Sequence, residues 1–163
     1  MPDPLAFFLT WTTYGTWLPG DPRGSTDHDR DSIRPRRIAP NDPLRSHATR
    51  IQRSDALTLK PESRAAVQQM IHALARDKGW VVHALNVRSN HVHLVITAPG
   101  DPNRVMTACK AFATQRLRQR GHFTPDQIIW TRHGSTRWIN DPKSLEAAIQ
   151  YARDFQDRPD RFR

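Results

Sequence analysis

Residues 80–98 read WVVHALNV (80–87), RSN (88–90) and HVHLVITA (91–98), and the fold turns on how this stretch is read. Both longer runs are rich in β-branched and apolar residues, and a short polar link joins them, so they form a β-hairpin. Side chains alternate along a strand. In the second run Val92, Leu94, Ile96 and Ala98 make one wholly apolar set, which has to face a core. His91, His93, Val95 and Thr97 point the other way, with the two imidazoles on one side and about 7 Å apart at the backbone by strand rise.

Helical periods flank the hairpin. In PESRAAVQQMIHALARDKG (61–79), Val67, Met70, Ile71 and Leu74 recur at helical spacing, with Pro61 suited to the first turn and Gly79 to a C-terminal cap. Asp101-Pro102 opens a second helix, with Val105, Cys109 and Phe112 on one face. Asp141-Pro142 opens a third, striped by Leu145, Ala148, Ile149 and Ala152. Phe7–Thr13 (FFLTWTT) reads as the first strand and Gln127–Trp130 (QIIW) as the last. Strand, helix, strand, strand, helix, strand is the split βαβ, ferredoxin-like plan, an α+β fold with an antiparallel sheet. The first two helices cover one face and the other is left open for ligand. The third helix, which carries Tyr151, is an addition to the plan.

Residues 1–163 read as a single domain with a Pro/Arg-rich insertion at about 19–58. Pro19, Pro22, Pro35, Pro40 and Pro43 break every period there, so a long loop is expected. No run of about 18 apolar residues occurs, so no membrane span or membrane partner is expected. The N-terminus has no basic start of the kind secretion signals carry. One cysteine, Cys109, excludes an internal disulfide and a cysteine-rich zinc site; it falls on an apolar helix face and reads as buried and inert. A cytoplasmic location is the simplest expectation, with nucleoid association when bound to DNA.

Lys and Arg total 25 against 16 Asp and Glu, a net charge of +9, and most of the cations are Arg. A polyanionic partner follows from that balance, although charge alone fits an inert Arg-rich surface equally well. The cluster Arg34, Arg36 and Arg37 suits a phosphate backbone. The histidine pair sharpens the reading, since two neutral imidazoles on one strand face can share an ion. The histidine-triad nucleotide hydrolases need a third His two residues on. Val95 stands there, and that chemistry is set aside. Cleaving a phosphodiester also needs a nucleophile. Of the two tyrosines, Tyr14 ends the first strand and Tyr151 lies on the flank of the third helix's apolar stripe. His83 reads as a structural histidine alternating with Val81, Leu85 and Val87. Trp130 and Trp138 read as core or boundary residues rather than base-stacking platforms.

These residues resemble a family. NVRSNHVHLVI (86–96) is similar to the segment around the metal histidines of single-tyrosine HUH transposases, the group of small insertion-sequence and REP-associated tyrosine transposases. MTACKAFATQRL (106–117) resembles their lysine-bearing helix, with Lys110 in place. IIWTRHGSTRW (128–138) resembles their aromatic strand region, and SLEAAIQYARDFQ (144–156) their tyrosine helix. The resemblance implies that His91 and His93 bind Mg²⁺ or Mn²⁺. It implies that Tyr151 attacks the scissile phosphate to give a 5′-phosphotyrosine and a free 3′-hydroxyl. The implied substrate is single-stranded DNA beside an imperfect hairpin, with Lys110, Arg88 and Asn90 as further DNA contacts. The family places an amide side chain four residues after the tyrosine as a metal ligand; here that place is Phe155. A straight helix favours Asp154 as third ligand, and a frayed one Gln156. Monomer and homodimer both remain open.

Two other readings are carried: a domesticated, catalytically inactive relative that binds hairpins, and a single-strand-binding module of the same fold. The module would need aromatic residues on its central strands for stacking, and VVHALNV and HVHLVITA supply none.

Overall fold

A computed structural model describes residues 3–15, 25–27, 36–38, 43 and 56–154. Strand β1 (Ala6–Thr12) opens the chain, and two short strands, β2 (Ser25–Asp27) and β3 (Arg36–Ile38), follow. Helix α1 (Pro61–Lys78) leads into the hairpin β4 (Val81–Val87) and β5 (His91–Thr97). Helix α2 (Pro102–Gln119), strand β6 (Ser135–Ile139) and helix α3 (Pro142–Asp154) complete the order. The main sheet runs β4-β5-β1-β6 with every pair antiparallel. This is the split βαβ arrangement, in which α1 and α2 each return the chain to a non-adjacent strand.

The helix ends follow local chemistry. Asp101 accepts the Asn103 amide at 2.8 Å and starts α2. Asp141 takes the Ser144 amide at 2.8 Å and its hydroxyl at 2.7 Å at the start of α3. Gly79 ends α1 at φ 71°, a left-handed conformation that glycine adopts without a Cβ penalty.

The sheet is apolar on both faces, with different partners. Phe7, Leu9 and Trp11 of β1 and Val92, Leu94 and Ile96 of β5 pack against α1 and α2 as the main core. On the opposite face Ala6, Ala84, Val95 and Ile139 pack beneath Leu145, Ala148, Ile149 and Ala152 of α3. That face is therefore only partly open, contrary to the sequence expectation. α3 lies over β4 and β5, because its apolar stripe needs cover as much as the sheet does.

Three further expectations are corrected. The last strand is Ser135–Ile139, not Gln127–Trp130. Ile129 and Trp130 are buried as a plug, with one isolated bridge from Trp130 to Thr13 and hydrogen bonds from Tyr14 N to Ile129 O (2.9 Å) and Thr131 N to Thr12 O (3.0 Å). The chain then turns through His133 (φ 68°) and Gly134 before laddering along β1. The insertion at about 19–58 is not loop throughout, because β2 and β3 pair within it as strands too short to show a period. Leu57 and Leu59, at its end, are buried in the main core. Finally, the register between β4 and β5 shifts between Val82 and Ala84, leaving His83 as the extra residue, so the simple alternation from Val81 to Val87 is broken.

Gly134 is where the turn meets β1. A Cβ there would lie 2.6 Å from the Thr10 carbonyl oxygen and 2.7 Å from Met106 Sδ. Gly134→Ala should destabilise the fold by about 1–3 kcal/mol through overpacking, seen as a lower urea midpoint. An unchanged midpoint would show that β1 and the turn separate freely.

Candidate active site

The ladder between β1 and β5 sets the site. Thr10 faces His93 and Thr12 faces His91. With Phe7, Leu9 and Trp11 committed to the main core, Phe8, Thr10 and Thr12 join the histidines on the α3 side. His93 is only 8% exposed, its Nδ1 2.9 Å from Thr10 Oγ1. His91 Nδ1 lies 2.7 Å from Asn90 Oδ1, which can only accept, so that ring donates from Nδ1. With each Nδ1 engaged by a neighbour, Nε2 is the nitrogen that each ring leaves for a further partner. The two rings meet edge to face with centroids 4.9 Å apart.

Burial first, then the neighbouring His91 and the positive charge of Arg88, push the His93 imidazole down to about 3. It is therefore neutral at physiological pH, the state in which histidine binds metal. The Tyr151 ring stands edge-on to His93 with centroids 5.9 Å apart, and edge-on to Phe8 at the same distance. Phe8 itself stacks on His93 at 5.5 Å with the planes 9° apart. Asn86 of β4 donates to the Ala152 carbonyl at 3.0 Å and ties the helix turn that carries the tyrosine to the sheet. A tyrosine from α3 and two histidines from β5 thus share one sheet face.

The family profile described as "Transposase IS200 like" matches residues 44–150. The chain belongs to the IS200-like transposase family. The match spans the histidine pair and ends one residue before Tyr151. Among solved structures, this family member is similar to a REP-associated tyrosine transposase bound to a REP hairpin: 14% identity and TM-score 0.48 over 93% of this chain, but only 66% of that one. It is also similar to "a putative transposase" from Deinococcus radiodurans R1, with 14% identity and TM-score 0.53 over 93% of both chains. The second likeness supports the fold. No curated protein matches.

Other sequence candidates fare differently in this IS200-like chain. Lys110 is held by its own structure. Its Nζ donates to the carbonyls of Thr131 (2.9 Å) and His133, and burial pushes it down to about 8. It clamps the turn before β6 and, through Thr131, which accepts from Thr12 Oγ1 at 3.0 Å, braces the end of β1. Asn90 orients His91, and its carbonyl takes the Thr13 amide at 2.9 Å. Arg88 caps the hairpin by donating its amide to His91 O at 2.8 Å. Asp154 is exposed, and among the described residues no group of three His, Cys, Asp or Glu forms around an ion position. Gln156, Phe155 and Arg34 lie outside the described residues, as do the side chains of Arg36 and Arg37, whose backbone forms β3.

His83 is structural: its Nε2 lies 2.7 Å from Thr97 Oγ1, which donates to Leu5 O. Cys109 is buried, its thiol pushed up to about 12 by burial. Trp130 is buried edge-on to Trp11. Trp138 departs from its core or boundary reading at 55% exposure, with only its edge engaged by Phe7. Sequence reading missed Phe8, Thr10 and Asn86. The alternation within FFLTWT offers the signal for the first two, because Phe7, Leu9 and Trp11 claim one face and leave Phe8 and Thr10 on the other.

A buried neutral histidine makes stability depend on pH. The folded-state value near 3 lies below the ordinary 6.5, so the unfolded chain binds the extra proton. The contribution is fully present above 6.5 and is lost as pH falls towards 3. With a chelator present, wild type should lose about 2 kcal/mol from this group between pH 7 and pH 5. His93→Gln should lack that increment in the same denaturant titrations; identical pH dependence in both proteins would refute the assignment.

Proposed function

We propose that this protein is a metal-dependent single-strand DNA nicking and rejoining enzyme, a transposase in which Tyr151 is the nucleophile. The observation that carries the reading is the Tyr151 ring set edge-on to His93 on the face where His91 and His93 pair. The donor set suits Mg²⁺ or Mn²⁺ supplemented by oxygen ligands: two imidazoles, each with its Nδ1 held and Nε2 oriented, one of them kept neutral by burial. Asp154, at the end of α3, or Gln156 would supply a third protein ligand. A bound ion polarises the scissile phosphate and stabilises charge that develops on its oxygens.

The chain's own residues supply the rest. Tyr151 Oη gives up its proton to solvent and attacks phosphorus, the bond from phosphorus to the 3′ oxygen breaks, and that oxygen takes up a proton from solvent to leave as a 3′-hydroxyl. The 5′-phosphate remains on the tyrosine, conserving the ester, so a 3′-hydroxyl can attack it and rejoin strands without an external energy source. Phe8 limits the tyrosine ring to one approach. Arg88 and Asn90, with Arg34, Arg36 and Arg37, remain the DNA-contact residues this reading would use, hairpin DNA being the expected ligand, while Lys110 acts through the turn that it clamps. The net charge of +9 favours such a polyanion.

The deciding experiment incubates single-stranded oligonucleotides tiled across the DNA flanking the gene with protein and Mn²⁺. A denaturant-resistant protein–DNA adduct is expected for wild type. It should be absent without metal, with Tyr151→Phe and with His91→Ala. Hairpin binding with no adduct under any divalent metal would make the protein a DNA-binding relative without chemistry. A second measurement addresses the histidines themselves. Thr10→Val should weaken Mn²⁺ binding by about 10–100-fold in calorimetry, the usual cost of removing a ligand's orienting partner, and unchanged affinity would remove Thr10 from that role.

A further inference from the structure

The sheet face that carries the histidines has a second half. α3 packs over β4 and β5 and reaches Ala6 and Ile139 at one end of β1 and β6, whereas further along those two strands the floor is the short hydroxyl side chains of Thr10 and Ser135. Thr10 faces His93 on one side and Ser135 on the other. Along the same ladder Phe8 faces Val95 on one side and Arg137 on the other. Arg137 therefore points to the face shared by His93 and Tyr151, at the outer edge of the sheet. It is exposed, and among the described residues no carboxylate is in ion-pair contact with it. Two interstrand spacings, about 10 Å, separate its backbone from β5. Less the reach of an arginine, that span leaves room for one phosphate beside the one attacked.

We infer that Arg137 takes the phosphate neighbouring the scissile one, so that the single strand crosses β1 from Tyr151 towards the β6 edge. The inference rests on the nicking reading above. An arginine fork binds phosphate oxygens bidentately, and the Thr10–Ser135 floor is low enough for a backbone to pass between Phe8 and the hairpin end. Arg88 adds positive charge at the histidines; Arg137 adds it at the far end of the same path. A charge on an edge strand also discourages strand-to-strand pairing, but that role is indifferent to sign, and a phosphate contact is not.

The test uses the full chain carrying Tyr151→Phe, so that binding is read without chemistry, and a fluorescent single-stranded oligo-dT. Arg137→Ala should weaken binding about ten-fold at low salt and flatten the plot of log affinity against log salt by about 0.7. Arg137→Lys should recover part of the loss, and Arg137→Glu should bind more weakly than Arg137→Ala. Once adduct formation has mapped the cleaved linkage, a methylphosphonate at the neighbouring linkage should weaken wild-type adduct formation and leave Arg137→Ala unaffected. An unchanged salt slope, or equal methylphosphonate effects in both proteins, would overturn the inference while leaving a Tyr151 adduct intact. A flattened slope with no adduct in wild type would instead sink the nicking reading and keep Arg137 as a DNA contact.

Discussion

Thr10 and His93 face each other across the β1–β5 ladder, and this register governs both sides of the sheet at once. It sends Phe7, Leu9, Trp11, Val92, Leu94 and Ile96 into the main core. The same pairing leaves Phe8, Thr10, Thr12, His91 and His93 on the opposite face. A slip of one residue would exchange the two sets, burying both histidines under α1 and α2 and exposing the largest aromatic residues of the core. The hydrophobic gain that holds the strands in place is thus the force that presents the imidazoles. The site inherits its precision from the core and needs no separate device to fix the strand.

Around that register the polar groups are arranged in pairs that hold one another. Asn90 serves His91 with its side chain and Thr13 with its carbonyl. Lys110 spends its ammonium on two carbonyls of the turn that precedes β6. Partial burial lowers the affinity of that amine for its proton, a cost offset by the two strong acceptors. A cation used in this way shapes the turn that delivers β6 to β1, and so acts on the site at one remove.

Much of this was legible in the sequence, for physical reasons that differ by residue. The hairpin, the two long helices and the face of the histidine pair follow from periodicity in HVHLVITA and in the helical stripes, where burial and spacing agree. The placement of β6 was not legible. Ile129 and Trp130 are apolar enough to look like a strand, yet their burial is satisfied as a plug, and the pairing falls to STRWI, whose polar residues suit an exposed edge. The bulge at His83 was hidden because an inserted residue erases the alternation that would reveal it. The cover given by α3 was visible only as a stripe without a stated partner. Asn86 matters through a contact far along the chain, with the Ala152 carbonyl, which no local pattern encodes. For Lys110 the sequence supplied the residue but not its partners, since backbone carbonyls carry no signature in the sequence.

Among the residues that fill the layer beneath α3, with Val95, Ile139, Leu145 and Ile149, are four alanines: Ala6 and Ala84 from the sheet, Ala148 and Ala152 from the helix. Side chains of this size have no rotamers to adjust. Where these alanines meet, the gap between helix and sheet is set by backbone approach. Tyr151 adjoins this zone and Asn86 bonds the Ala152 carbonyl within it, so the distance from Tyr151 to the histidines behaves as a machined clearance. Such a joint resists thermal play well and tolerates added volume poorly. Selection on catalysis would act there as a ban on any larger residue, long before the fold itself felt the strain.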